Sequence, residues 1–137
     1  MLILVEIFTC SSKLSNKYLL QPTQYVNDIS WTDWQNEKIV SYTVVGSGFV
    51  YASASAISSS NSDTGTVYAI ILLNNVRVAY DYDRLVSAGS YSVGANASSM
   101  FAVSNGDVIQ LTLYSSKGGT ANGLRRILAF GCTLTTS

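Results

Sequence analysis

From residue 38 onward, apolar and polar side chains alternate with period two and almost nowhere with the 3.6-residue period of an amphipathic helix. Val40, Tyr42 and Val44 alternate with Ser41 and Thr43, predicting a strand, and Gly46-Ser47-Gly48 predicts a turn after it. Val50, Ala52, Ala54 and Ala56 then alternate with Tyr51, Ser53 and Ser55. The small side chains on one face of this second strand predict close approach by another sheet. A Ser/Asn/Asp/Gly run over 58–65 reads as a loop. Residues 66–73 (TVYAIILL) are apolar on both faces, as a strand needs when core covers one side and a second subunit the other. Asn74-Asn75 tolerates positive φ and predicts a hairpin. In the returning strand, 76–82, Val76, Val78, Tyr80 and Tyr82 face one way, and Arg77, Ala79 and Asp81 the other.

A Gly/Ser-rich passage over 87–94 precedes a short strand at 100–103, which ends at Asn105-Gly106. Residues 108–114 set Ile109, Leu111 and Leu113 inward, with Gln110 and Thr112 outward, and Lys117-Gly118-Gly119 makes another turn. The last strand, 127–134, places Leu128, Phe130, Cys132 and Leu134 on one face. Seven or more short strands, separated by turns and without a helical segment, predict an all-β antiparallel sandwich. Residues 11–37 lack clean alternation and hold the only Pro and both Trp residues, with one helical turn conceivable over 32–36. The chain thus divides into an N-terminal docking or lead-in segment, 1–37, and a head domain, 38–137. The apolar opening MLILVEIFTC is too short to span a bilayer and carries Glu6 within it. An edge strand or a docking segment is the expected role, with no membrane insertion.

Composition sharpens this picture. At 137 residues the chain is one domain's worth. Charged residues are only 12%, half the usual ~25% of soluble domains. Polarity comes instead from 21 Ser and 11 Thr. So few charges on a folded surface point to an obligate oligomer. Eight cations balanced by eight anions argue against phosphate-driven nucleic-acid binding. The absence of His removes His-based general bases, Ser-His-Asp and Cys-His nucleophile pairs, and His-containing zinc sites. No enzyme activity and no cofactor are expected. Cys10 and Cys132 leave two readings open, a disulfide joining the chain ends or two buried free thiols, and the second is favoured because free Cys is often buried.

Few side chains offer chemistry. Tyr80-Asp81-Tyr82-Asp83 places two carboxylates on one face of a strand and two tyrosines on the other. Asp81 and Asp83 leave two readings open, a calcium site, for which two carboxylates are few, and ordinary ion pairs with Arg77 and Arg84, and the second is favoured. Nothing isolates either carboxyl as a glycosidase acid would require. Tyr80, Tyr82, Asp81, Asp83, Trp31 and Trp34 are the candidate ligand-binding residues. The tyrosines supply large, rigid contact area, and the two tryptophans either stack on a sugar or, as is commoner, plug the sandwich. Asp107 reads as a turn cap, Arg125-Arg126 as a solvated or subunit-bridging cationic pair, and Asn96-Ala97-Ser98 as a glycosylation pattern relevant only to a eukaryotic secretory setting.

From residue 42 to 134 the motif order resembles the globular heads of the tumour necrosis factor-like and complement-type superfamily. The clearest match is AIILLNNVRVAYDYD over 69–83, similar to that family's apolar strand, Asn-led turn and Tyr/Asp-rich return. Gly106-Asp107-Val108-Ile109-Gln110-Leu111 resembles its Gly-Asp-x-Val-x-Leu segment. Phe130-Gly131-Cys132-Thr133-Leu134 resembles its closing strand, though here Gly directly follows Phe; in Gly48-Phe49-Val50-Tyr51 the aromatic positions are displaced by one. Residues 1–40 do not match the family, and no Gly-X-Y stalk precedes the head. Pro22, Thr23 and Tyr25, with the Ser/Gly-rich head, look more like bacteriophage fibre-tip and related virion proteins. The resemblance implies a jelly-roll head assembled as a homotrimer, with Tyr68, Ile70, Leu72 and Phe130 at the subunit interface. It implies a virion protein that binds a host-surface component, a glycan or a protein receptor. The alternatives are a capsid or fibre decoration protein docked on other virion proteins through its N-terminal segment, and a secreted complement-like recognition domain.

Overall fold

A computed structural model describes residues 21–32, 36–60, 65–85, 91–116 and 120–136. The described chain forms eight strands: β1 (Thr23–Val26), β2 (Ile29–Trp31), β3 (Lys38–Ser60), β4 (Gly65–Leu73), β5 (Val76–Leu85), β6 (Tyr91–Val103), β7 (Val108–Ser115) and β8 (Thr120–Thr136). Every pairing is antiparallel. The order is β1-β8-β3-β7-β4-β5, with β2 also on β8 and β6 also on β3. The protein is therefore all-β and sandwich-like, and no helix among the described residues is long and apolar enough to cross a membrane.

Three strands change course at one level. Gly46-Ser47-Gly48 is not a turn but an irregularity inside the continuous strand β3, where pairing with β8 slips from Gly46↔Cys132 to Phe49↔Phe130. Two residues of β3, Ser47 and Gly48, thus oppose the single Gly131, as in a β-bulge. Gly46 (φ +89°) and Gly131 (φ +79°) adopt the left-handed conformation, and a Cβ on Gly48 would overlap the Phe130 carbonyl oxygen. At the same level β6 gives way to β7 through 104–107, with Gly106 at φ +90°. Bent along this line, the sheet lays β4 across β3 and β6 and brings β5 beside β6.

The fold-over explains the small-residue face. Ala52, Ala54 and Ala56 of β3 and Ala95 and Ala97 of β6 are buried in the same core cluster as Val67, Ala69 and Ile71 of β4. Side chains no larger than methyl allow the layers to approach closely, as the alternation of β3 predicts. Ile109, Leu111 and Leu113 of β7 are fully buried in that core. Each large aliphatic buried this way contributes about 1.5–3 kcal/mol.

Elsewhere the alternation is broken by inserted residues. In β8, Ile127 and Ala129 are buried before Gly131, and Cys132 and Leu134 after it. Leu128 and Phe130 therefore do not share a face with Cys132 and Leu134. In the β4–β5 hairpin, Asn74 and Asn75 both have positive φ (50° and 67°), as expected. Pairing then slips between Ile71↔Ala79 and Leu72↔Arg77, leaving Val78 as the extra residue. Val78 packs on the core, and Arg77 joins the face of Tyr80 and Tyr82 rather than that of Ala79 and Asp81.

Three strands are longer than their composition suggests: β3 runs to Ser60, into the run read as a loop over 58–65, β6 starts at Tyr91, within the passage read as Gly/Ser loop, and β8 starts at Thr120. Within the segment expected to dock or lead in, 1–37, the strands β1 and β2 pair with β8. The expected turn at 117–119 lies outside the described residues, as do Cys10 and most of the helical turn considered over 32–36. Cys132 is a buried free thiol whose pKa is pushed up by burial.

The Arg125-Arg126 pair divides its labour across the sheet. Arg125 is only 4% exposed. Its guanidinium donates to the Asn27 carbonyl (3.1 Å), the Asn27 side-chain oxygen (2.5 Å) and the Lys38 carbonyl (3.1 Å). It fastens the β1–β2 connection to the start of β3, and burial lowers its pKa. Arg126, on the opposite face, bridges Asp28 at 2.7 Å.

Candidate functional site

Cross-strand register places side chains of β3, β7, β4 and β5 in three rows on the face away from the core, although Thr112, expected outward, is itself buried there. Tyr114, Tyr68 and Tyr82 form one row; Ile39, Thr112, Ile70 and Tyr80 form the next; Ser41, Gln110, Leu72 and Arg77 form the third. Opposed residues in antiparallel strands share a face, so these rows make one surface. Tyr68 and Tyr114 stack with ring centroids 4.7 Å apart, and Tyr80 and Tyr82 stack at 5.8 Å. The Arg77 guanidinium lies 4.5 Å above the centre of the Tyr80 ring. Tyr80 and Tyr82 are 44% and 55% exposed.

The Val78 bulge creates this arrangement. Without it Arg77 would point inward beside Ala79; with it, Arg77, Tyr80 and Tyr82 form a ladder of three flat groups along β5. Such a ladder offers stacking area and a guanidinium edge, the two features that recognise a ring bearing polar substituents. Nearby, the Tyr68 hydroxyl donates to the Glu37 carboxylate. Partial burial, followed by that carboxylate, raises the Tyr68 pKa well above its ordinary value. Tyr68 is thereby fixed as a neutral donor, and its ring is held against Tyr114.

The sequence-predicted site residues are divided by the fold. Tyr80 and Tyr82 stand together on the outward face. Asp81 and Asp83 turn the other way, toward the free edge of β6: Asp81 accepts the Asn96 N–H at 2.8 Å and Asp83 accepts the Gly94 N–H at 3.3 Å. Their spacing of two matches the spacing of the β6 amides that point away from β3. The carboxylates thus stand in for a neighbouring strand, saturating an edge that would otherwise be open. Trp31 is 7% exposed and sits in the core beside Gly123, so it takes the packing position rather than a rim position. Trp34 lies outside the described residues. Among the described residues, no three His, Cys, Asp or Glu side chains come together as a metal site.

The expected interface residues are divided as well. Tyr68, Ile70 and Leu72 lie half-buried on the same surface as Tyr80 and Tyr82. Phe130 lies on the outer face of β8, paired with Phe49. Arg77 was missed as a site residue because strict alternation puts it on the wrong face; the only local signal was its nearness to two tyrosines. A depression lined by Gln21, Thr23, Val45, Ala129, Gly131, Cys132 and Thr133 is shallow and has no charged side chain in its lining. Asp107 is the turn cap its position predicts: it accepts the Ser104 N–H and the Asn74 side-chain amide, and Asn74 in turn accepts the Val108 N–H. This exchange ties the β4–β5 turn to the start of β7 and so holds the near end of the ladder.

No family model and no curated protein matches the chain.

Proposed function

We propose that this protein is a non-enzymatic binding head that attaches to a host-surface glycan through the outward face of β4 and β5. The observation that carries the reading is the ladder of Arg77, Tyr80 and Tyr82, three exposed flat groups on a rigid hairpin whose turn is tied down by Asp107 and Asn74. Tyr82 and Tyr80 offer ring faces to a sugar, and Arg77 offers donors to its oxygens. Rigid aromatics lose little rotamer freedom on binding, so a shallow surface is an adequate site when several copies engage together.

In the same reading the fold is a jelly-roll head, assembled as a homotrimer and displayed on a virion such as a phage fibre tip. The low charge of the chain and the motif order over 42–134 support it. Three copies of a weak site give the avidity that one copy lacks. Binding of the purified protein to a glycan array and to candidate host cells tests the proposal. Retention on a defined saccharide class is the expected result; retention on none overturns it.

A further inference from the structure

We infer that the outer face of β6, β3 and β8 is where a second copy of this chain docks. The inference builds on the oligomeric part of the proposed function and assigns its contact to a surface other than the β4 face. On this side Met100, Tyr51, Leu128 and Gln24 form one row, and Ala102, Phe49 and Phe130 the next. Further along lie Ser98, Ser53 and Arg126, then Asn96, Ser55 and Leu124, then Gly94, Ile57 and Asn122, so the rows span nine residues of each strand. Met100 is 62% exposed and Phe49 43%, with Tyr51 and Leu124 also exposed. Large apolar groups placed side by side over two adjacent rows make a contiguous patch rather than scattered surface residues.

Charge singles out this face. The rows contain one ionic side chain, Arg126, and it is already bridged to Asp28 at 2.7 Å. The β4–β5 face, by contrast, presents Arg77, with Glu37 at its margin. An interface core is depleted in charge and enriched in aromatics and Met, which describes Phe49, Tyr51, Phe130 and Met100. The remaining side chains are mostly Ser, Asn and Ala, short enough for a second sheet to lie at the ~10 Å spacing of stacked sheets. Three strands about 4.8 Å apart, over nine residues rising about 3.3 Å each, give a footprint of roughly 430 Å² in projection. The accessible area of a corrugated face exceeds its projection, so this face and the patch that meets it bury together at least about 860 Å², close to the ~1,000 Å² that a specific interface clears. In a threefold ring the next copy meets this face with a different patch of its own, and because the one ionic side chain here is already bridged to Asp28, no unpaired charge is buried on it.

Light scattering on the full-length chain and its single variants tests this. The wild type is expected above the 14.7 kDa of one chain. Tyr51→Glu and Met100→Glu should shift it toward that single-chain mass, while Ile70→Glu on the β4 face should leave the oligomer intact. Circular dichroism checks that each variant keeps its β-sheet; if a Glu variant loses it, Tyr51→Ala and Met100→Ala replace it, with at least a tenfold rise in the dissociation constant expected. Dissociation by Ile70→Glu alone would overturn this face while leaving the oligomer standing. A wild type of 14.7 kDa throughout the micromolar range would overturn both, whether residues 1–20 cover the face or it stays open. Glycan binding by the wild type and by Tyr80→Ala is read separately, so the binding proposal and this one can fail independently.

Discussion

Asp81 of β5 accepts the backbone N–H of Asn96 of β6 at 2.8 Å, and with Asp83 on Gly94 it caps two amides on the side of β6 that no other described strand pairs with. A carboxylate here does the work of a strand's carbonyl. Replacing Asp81 by Ala leaves this exposed amide to water and should lower unfolding free energy by about 0.5–1 kcal/mol. Asp81→Asn keeps an acceptor and should cost less than half as much. Urea denaturation of the two variants measures the difference, and the Asp81→Ala/Asp83→Ala double variant should also aggregate more readily through its opened edge.

The bend in the sheet makes a sharper prediction at Gly48. A methyl group there meets the Phe130 carbonyl oxygen, which is backbone and has nowhere to go. Gly48→Ala should therefore cost at least about 3 kcal/mol or prevent folding, a loss reserved for a few steric mechanisms. Gly106, unlike Gly48, has positive φ, but it has open space around it, so Gly106→Ala should cost only about 1–2 kcal/mol. Thermal melts of the two variants give the contrast directly.

Arg125 and Arg126 are neighbours in sequence with opposite energetic weight. Arg125→Met strips the Lys38 carbonyl and both Asn27 acceptors of their donor and should destabilise by about 2–4 kcal/mol. Arg126→Met breaks only a solvent-exposed pair and should fall within the error of a urea titration.

These positions show what alternation can and cannot convey. The first half of β3 and β7 are legible because Val40, Tyr42 and Val44, and Ile109, Leu111 and Leu113, are each buried on one parity, and β4 because its run is apolar throughout. Parity fails wherever one residue is inserted, and an insertion leaves no period-two signature of its own. Gly131 reverses the faces of β8, and Val78 moves Arg77 across β5. The first half of β6 resembles a loop because its Ser, Gly and Asn residues point outward and its core residues are only Val93, Ala95 and Ala97. At the site, Tyr80 and Tyr82 were legible. The task of Asp81 and Asp83 was not, because their partners on β6 are neighbours only once the sheet has folded over.

Stability should be lost at both ends of the pH scale. Hydrogen bonds from Arg126 to Asp28, and from the Asn74 amide and the Ser104 N–H to Asp107, hold both carboxyls below their ordinary 3.8. A depressed folded pKa contributes stability that is present above 3.8 and lost as pH falls through the lower folded values. Tyr42 and Tyr68 are shifted the other way, chiefly by burial, from an ordinary 10.0. Their contribution is present below pH 10 and lost as pH rises toward the folded values. Melting temperature against pH should therefore fall below about 4 and above about 10, and Tyr68→Phe should soften the alkaline fall.

The central claim is that the outward face of β5 binds saccharide through stacked rings, and one comparison tests it most directly: binding of the wild type and the Tyr80→Ala/Tyr82→Ala double variant to the same glycan array. Both side chains are exposed, so the double variant should keep its melting temperature within a few degrees. Its affinity for the saccharide the wild type retains should fall at least about tenfold, the equivalent of ~1.4 kcal/mol of lost stacking. A folded double variant that binds as tightly as the wild type, or a wild type that binds no saccharide, would contradict the account.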